Sequence, residues 1–260
     1  MAEVQKKVPA PDPFMETENE VKNEAVNYFN YLKEMGVDSV EPAAYNRCAD
    51  EEILPNDLPN DLAKGGEELK KSRSYASGGL EKIAAQVASC KSCGLHETRT
   101  QTVFGTGSPK ADIMFVGEAP GKEEDKQGKP FVGRAGQLLT KMINAINFSR
   151  DDVYIANVLK CRPPQNRDPK PEEVALCEDY LIRQIEAIKP KFICAMGLHA
   201  AHTLLRTKDS LGKLRGRFHD YHGVPLMATY HPAALLRNPG WKQAAWEDLK
   251  VLRDEHKKNA

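Results

Sequence analysis

The chain has 260 residues, of which 40% are hydrophobic, a formal net charge of zero and a mean hydropathy of −0.56. This length fits one substantial domain with an extension, or two small domains. No segment approaches the roughly 18 apolar residues of a membrane span, and the opening MAEVQKKVPAPDPF lacks the apolar core of a secretory signal. We therefore expect an intracellular protein that does not contact a membrane.

The zero net charge hides two segments of opposite charge. Residues 1–79 hold nine basic and 16 acidic side chains, a net charge of −7, and the rest of the chain holds 28 basic and 21 acidic side chains, a net charge of +7. A basic domain indicates a polyanionic partner such as a nucleic acid. The first 79 residues are predicted to be an acidic, partly disordered extension and linker with one candidate helix at residues 21–35.

From residue 80 onward, apolar runs of strand length alternate with helical patterns. The predicted strands are 111–117, 153–159, 192–196 and 224–229. The predicted helices are 136–146, 171–188, 198–205 and 241–256. This alternation predicts an α/β fold with a mainly parallel sheet and helices on both faces. In such folds the working loops follow the carboxyl ends of strands, which here are residues 118–133, 160–170 and 230–240.

Four of the six cysteines form a pattern typical of metal ligands. Cys90 and Cys93 are a C-x-x-C pair, Cys161 follows the second predicted strand, and Cys177 lies on the next helix. Thiols inside a cell stay reduced, so clustered cysteines are metal ligands more often than disulfides. Four thiolates suit either a [4Fe–4S] cluster or tetrahedral zinc. The spacing alone leaves both metals open, together with the third alternative of unrelated thiols.

The first predicted strand runs into GEAPG, in which glycines flank Glu118. Such glycines permit a sharp turn and the close approach of a ligand to the backbone, so the carboxylate of Glu118 is a candidate for a cleft. Its alternative is an exposed turn position. Phe131 follows in PFVG and is either one wall of a flat pocket or a core residue.

Two further strand ends carry polar candidates. Asn157 lies near the end of an apolar strand, where a buried amide either bonds to backbone or reads the polar edge of a ligand. His231 follows the last strand, where it either donates to a developing anion or caps and packs locally. After it, Leu235 and Leu236 are candidate wedges for a base stack, and Arg237 is a candidate phosphate ligand.

These segments together resemble a known family. GEAPGKEEDKQGKPFVGRAGQLL, NVLKCRPPQNRDPKPEEVALC and HPAALLRNP, in this order, resemble the family 4 uracil-DNA glycosylases, the iron–sulfur members of the uracil-DNA glycosylase superfamily. The likeness covers about 175 residues, from about Cys90 to the final helix. It implies that residues 80–260 form a three-layer α/β/α sandwich with a central four-stranded parallel sheet.

The resemblance also implies an activity. The family flips uracil out of DNA, hydrolyses its N-glycosidic bond and leaves an abasic site for base excision repair. By motif, Glu118 matches the acidic residue associated with water, and His231 matches the residue that contacts uracil O2. Gly117, Phe131 and Asn157 match positions around the base. Cys90, Cys93, Cys161 and Cys177 match the ligands of a [4Fe–4S] cluster, to which we assign a structural role.

Two alternatives to this glycosylase stay open. One is a protein that binds uracil-DNA without cutting it, and the other is a zinc-stabilised nucleic-acid module. A branch of the superfamily that stays covalently bound to DNA uses a His in a basic insert, and CRPPQNRDPKPEE has neither, which favours turnover.

The expected partner is uracil-containing DNA. We further expect a monomer in the cytoplasm of a bacterial or archaeal cell, associated with the nucleoid. The extension 1–79 is a candidate for binding a partner protein.

Overall fold

A computed structural model describes residues 79–259, so the predicted helix at 21–35 and the linker lie outside the described residues. The strands are β1 (Thr106–Gly107), β2 (Ile113–Gly117), β3 (Tyr154–Asn157), β4 (Phe192–Met196), β5 (Phe218–Tyr221) and β6 (Val224–Thr229). The helices are α1 (Leu80–Ala88), α2 (Lys122–Gln127), α3 (Arg134–Ala145), α4 (Pro171–Ile188), α5 (Leu198–Leu205), α6 (Leu211–Leu214), α7 (Pro232–Arg237) and α8 (Lys242–Lys258).

The sheet has the strand order β1-β3-β2-β4-β6-β5. Its four central strands are parallel, which confirms the predicted parallel core, while β1 and β5 add antiparallel edges that sequence analysis did not predict. β5 and β6 are joined by a tight turn in which His222 and Gly223 both have positive φ angles. The sequence of β5, FHDY, is short and partly polar, so its apolar pattern is too weak to identify a strand.

Helices cover both faces of the sheet, which confirms the three-layer α/β/α architecture. Successive strand residues point to opposite faces, so Phe115 packs with α3 and α8, whereas Val116 packs with α4 and α5. The aromatic ring of Trp246 on α8 is completely buried in the first of these cores. Each strand therefore contributes to two cores, and the central strands are apolar on both faces.

Two helices, α4 and α5, have the bounds that the sequence pattern predicts. α4 has its predicted bounds, with Pro171 in its first turn and Glu173 accepting the Lys170 N–H at 2.9 Å. α1, α2, α6 and α7 were not predicted, because three of them are shorter than two turns and α1 borders the linker. In the described range 79–259, no helix is long and apolar enough to cross a membrane.

The parallel core brings four strand ends to one edge of the sheet. Gly117 ends β2, Asn157 ends β3, Gly197 follows β4, and His231 follows β6 after one residue. The polar residues that were predicted separately along the chain therefore meet at the carboxyl edge of the sheet, where ligands bind in open α/β folds.

Candidate active site and four-cysteine site

Gly117 lies at the carboxyl edge of the sheet, and together with Phe131, Asn157 and His231 it makes up what we call the candidate pocket. A Cβ atom built on it would lie 2.4 Å from Asn157 Oδ1 and 2.7 Å from Phe131 Cζ. Carbon atoms do not approach other heavy atoms this closely, so any side chain here would displace both neighbours. Gly117 is therefore required because Asn157 and Phe131 crowd its α-carbon.

Phe131 is held beside Gly117 in an unusual backbone conformation. Its φ angle is +51°, a left-handed value that is rare for an aromatic residue. Glu124 Oε1 accepts the N–H groups of Val132 and Gly133 at 2.9 and 3.1 Å, and Arg150 donates to the Pro130 carbonyl at 2.8 Å. These three hydrogen bonds hold the loop in place, so the position of the ring is fixed.

Asn157 is 2% exposed, and its Oδ1 atom has no hydrogen-bond partner. The backbone around it is well held, since the Val158 and Leu159 N–H groups donate to the carbonyls of Gly117 and Glu118, each at 3.0 Å. A buried acceptor without a partner is costly in a folded protein. The amide oxygen is thus fixed in position and available to a donor from outside the chain.

His231 lies next to Phe131, with ring centroids 5.6 Å apart and the ring planes tilted by 34°. Its Nδ1 accepts the Ala233 N–H at 3.1 Å, which caps α7 and places the ring proton of the neutral form on Nε2. Burial lowers the pKa of His231 to about 4, with a further contribution from the positive charge of Arg237. The ring is therefore neutral at physiological pH, and Nε2–H is its donor.

The backbone below His231 also depends on glycine. Gly197 has a φ angle of +96°, and a Cβ atom there would lie 2.8 Å from His231 Cβ. Only glycine combines this conformation with this close approach. The segment between β4 and α5 therefore supports the position of His231.

Glu118 follows Gly117 directly, with its side chain 26% exposed. Its Oε1 atom has no hydrogen-bond partner and lies 3.9 Å from His199 Nδ1. Burial raises the pKa of Glu118; Asp168 adds to that effect through like charge, while His199 opposes it. One ligand atom from each of these three residues lies within 4.8 Å of the others.

The segment after His231 separates the three predicted DNA-contacting residues. Helix α7 turns successive side chains by about 100°, so Leu235 is completely buried in the core while Leu236 is 38% exposed and Arg237 is exposed. Leu235 therefore lies in the core, whereas Leu236 and Arg237 lie at the surface.

The four predicted metal ligands converge although they come from separate parts of the chain. Cys90, Cys93, Cys161 and Cys177 line one cavity together with Arg99, Lys160, Tyr180 and apolar side chains. Arg99 Nη1 donates to Cys161 Sγ at 3.0 Å, and the Lys160 N–H donates to Cys177 Sγ at 3.3 Å. Burial raises the pKa of Cys177 to about 11, and burial also raises that of Cys161.

Sequence analysis missed three residues of the pocket region. Glu124 lies in KEED after GEAPG, and its position in the first turn of a short helix was the available signal. His199 follows β4 within GLHAA, so the rule about strand ends could have identified it. Asp168 lies in the CRPPQNRDP loop, where nothing in the local pattern marks it.

Comparison with known proteins identifies the family of the chain. Residues 104–250 match the family model for the Uracil DNA glycosylase superfamily. A type-4 uracil-DNA glycosylase from Archaeoglobus fulgidus is 47% identical over 181 residues, which cover 66% of this chain and 91% of the relative. The type-4 uracil-DNA glycosylase from Sulfurisphaera tokodaii is 48% identical over 67% of this chain and 84% of the relative. The one from Thermotoga maritima is 48% identical over 61% of this chain and 84% of the relative.

Proposed function

The chain belongs to the Uracil DNA glycosylase superfamily and to its type-4 members, and from this premise we propose that it is a DNA-repair enzyme that excises uracil. It hydrolyses the N-glycosidic bond of uracil in DNA, releases the free base and leaves an abasic site. The observation that carries this proposal is the buried, unpartnered Oδ1 of Asn157, held next to Gly117 and the ring of Phe131.

The pocket requires the base to leave the DNA helix. A base inside a duplex cannot reach buried groups, so the nucleotide must rotate outward. Phe131 is 6% exposed, and its fixed ring offers a stacking face to a flat heterocycle. Gly117 lets Asn157 and Phe131 pack closely against the end of β2, because any side chain there would displace both of them.

Asn157 reads the edge of the flipped base. Its carboxamide offers one acceptor and one donor, which fit the N3–H and O4 of uracil. Cytosine has an acceptor and a donor at the corresponding positions and would leave both groups unpaired, at a cost of about 1–3 kcal/mol each. Because Asn157 is buried, water cannot replace the lost hydrogen bonds, and cytosine binding carries the full penalty.

His231 stabilises the leaving base. As the bond to the sugar breaks, negative charge develops on uracil O2, toward which Nε2–H of a neutral ring can donate. The capping bond from the Ala233 N–H to Nδ1 fixes this tautomer in advance. One preorganised donor of this kind contributes about 3–4 kcal/mol to the transition state.

Glu118 acts on the sugar side of the reaction. Its ionised carboxylate orients a water molecule toward C1′ and stabilises the positive charge that develops on the sugar. The unpartnered Oε1 supports this role, since its lone pairs are not taken up by donors of the protein.

The four cysteines hold a [4Fe–4S] cluster in this proposal. The four cysteines line one cavity, and Arg99 and the Lys160 N–H donate to two of the sulfurs. A set of four thiolates with donors to sulfur suits an iron–sulfur cluster. When bound, it supplies no chemistry to the reaction and links α1, the end of β3 and α4.

DNA binds along the surface beside α7. Leu236 enters the gap in the base stack and Arg237 contacts phosphate, since both side chains are exposed whereas Leu235 is not.

The protein acts as a monomer in the bacterial or archaeal cytoplasm, near the nucleoid, and its acidic extension binds a partner protein.

The test incubates the purified full-length chain with an oligonucleotide that contains one uracil. We expect the free base to be detected by mass and the strand to break only after treatment with alkali. Tight binding without release of the base would replace the enzyme with a binding protein. Separate analysis of iron, sulfide and zinc tests the cluster, and zinc without iron would contradict it.

A further inference from the structure

Lys160 is 1% exposed and is the most deeply buried lysine among residues 79–259. It lies between two sites, because Asn157 of the pocket precedes it by three residues and Cys161 of the four-cysteine site follows it directly. Burying an ammonium group is costly unless acceptors and negative charge surround it. The contacts of this side chain explain why it is there.

The ammonium group of Lys160 makes two short hydrogen bonds. Nζ donates to the backbone carbonyl of Asn157 at 2.7 Å and to Gln184 Oε1 at 2.6 Å. Gln184 is completely buried, and its amide nitrogen donates to the Phe104 carbonyl at 2.9 Å and to the Tyr154 hydroxyl at 3.2 Å. The ammonium group of Lys160 is therefore held in place by a buried polar network.

The same network reaches the cysteines. Gln184 and Cys177 are seven residues apart on α4, a spacing that places both on one face of the helix. The Lys160 N–H donates to Cys177 Sγ at 3.3 Å, and Lys160 shares the cavity with the four sulfurs. Cysteine thiolates that hold a cluster there would supply the negative charge that makes a buried ammonium tolerable.

We propose that Lys160 is a positioning residue that links the four-cysteine site to the base pocket by holding the carbonyl of Asn157. The Val158 and Leu159 N–H groups hold the segment after Asn157 against the end of β2. The ammonium group of Lys160 holds the carbonyl of Asn157 itself. Together they set the plane of the backbone from which the Asn157 amide extends. The inference rests on the proposed function only in taking that amide to read the base.

The experiment replaces Lys160 with methionine, which keeps most of the volume and removes the charge and the hydrogen bonds. Binding is measured to three oligonucleotides that carry 2′-fluoro-2′-deoxyuridine, 2′-fluoro-2′-deoxycytidine or a tetrahydrofuran abasic analogue, none of which is cleaved. We expect the preference for uracil over cytosine to fall about tenfold, which is a typical effect of one lost hydrogen bond to a charged group. Affinity for the abasic analogue and metal content per chain should equal those of the wild type.

Tyr154→Phe is the matched control. It removes another buried partner of Gln184 without touching the bond from Lys160 to Asn157, so it should keep the full preference for uracil. If K160M does not fold, Gln184→Met carries the test, because it removes the acceptor that fixes the ammonium group. We expect Q184M to lose preference in the same direction and to a smaller extent.

The outcomes separate this inference from the proposed function. A wild-type protein without preference for uracil would contradict the base-reading role itself. A wild-type preference that survives in folded K160M, or in Q184M where K160M does not fold, would overturn the positioning role alone. A loss of preference that follows a matching loss of metal would also overturn it, since the effect would then arise from the cysteine site.

Discussion

The base pocket and the four-cysteine site lie at the two ends of residues 157–161, and they treat buried polar atoms in opposite ways. In the pocket, Asn157 Oδ1 and Glu118 Oε1 have no partner. In the cysteine site, Arg99 and the Lys160 backbone donate to sulfur. Unpaired acceptors suit a ligand that binds and leaves, whereas sulfurs with donors in place suit a permanent anionic group. We infer from this difference that the pocket recognises substrate and that the cysteine site stabilises the fold.

The largest expected effect comes from removing the donor to the leaving base. His231→Gln should lower the single-turnover rate of uracil excision by about 10²–10³, which is typical for the loss of one preorganised donor. His219→Gln is the control, since His219 contacts only the Leu214 carbonyl among the bonds described for its ring and lies on the edge strand β5. Equal rates in both variants would remove His231 from the reaction.

Adding a side chain at Gly117 should be nearly as harmful. Gly117→Ala forces a methyl group against Asn157 and Phe131, and a displacement of about 1 Å commonly costs about 10²-fold in rate. The measurement is kcat/KM on a uracil oligonucleotide. Gly212→Ala, where no atom lies within 4 Å of the added carbon, should behave like the wild type. A fully active G117A would show that the close packing of Asn157 and Phe131 against Gly117 is not needed for excision.

Changing the hydrogen-bond pattern of Asn157 should alter the selectivity for uracil over cytosine. Asn157→Asp keeps the shape but replaces the amide donor with an acceptor, so uracil loses its partner at O4. We expect the excision rate for uracil to fall at least about tenfold, at about 1.4 kcal/mol per tenfold, and the ratio of uracil to cytosine to fall with it. An unchanged ratio in folded protein would exclude Asn157 as the reader.

A smaller effect is expected where the protein meets the duplex. Leu236→Ala should lower activity several-fold on double-stranded uracil-DNA and leave single-stranded substrate unaffected, because only the duplex has a stack to fill. Val251→Ala removes a similarly exposed side chain from α8 and serves as control. Equal losses on both substrates would contradict a wedge role for Leu236.

The smallest expected change is in the pH profile. Glu118 acts when ionised, and burial raises its pKa above the usual 4.5, so the rate should fall as acidification passes through this raised pKa. His231 stays neutral down to about pH 4 and does not cause that loss. Asp168→Asn removes a like charge that raises the pKa of Glu118, so the midpoint of the acid limb should move to lower pH. An unmoved midpoint would exclude this coupling.

Sequence patterns predicted the parallel core because its strands are continuous apolar runs separated by helices with clear periodicity. α4 was predicted to the residue, since Pro171 and Glu173 mark its first turn. The edge strands β1 and β5 were missed because two or four residues carry too little periodicity. Their pairing depends on neighbouring strands, and such contacts are not visible in a local pattern.

The sequence indicated several residues of the candidate pocket, but it indicated neither their packing nor Glu124, His199 and Asp168. Glu118, Asn157 and His231 follow from their positions at strand ends, whereas the crowding at Gly117 depends on two distant segments. Leu235 and Leu236 could not be separated from the sequence, because the short helix that buries one and exposes the other was not predicted.

The most direct test of the base-reading pocket is the rate of base excision from oligonucleotides that are identical except for one uracil or one cytosine. The wild-type protein is used in excess, so that one turnover is measured. We expect release of uracil and no detectable release of cytosine, because cytosine leaves the amide of Asn157 without matched partners. Comparable rates for the two bases would contradict the central claim that this amide reads the base edge.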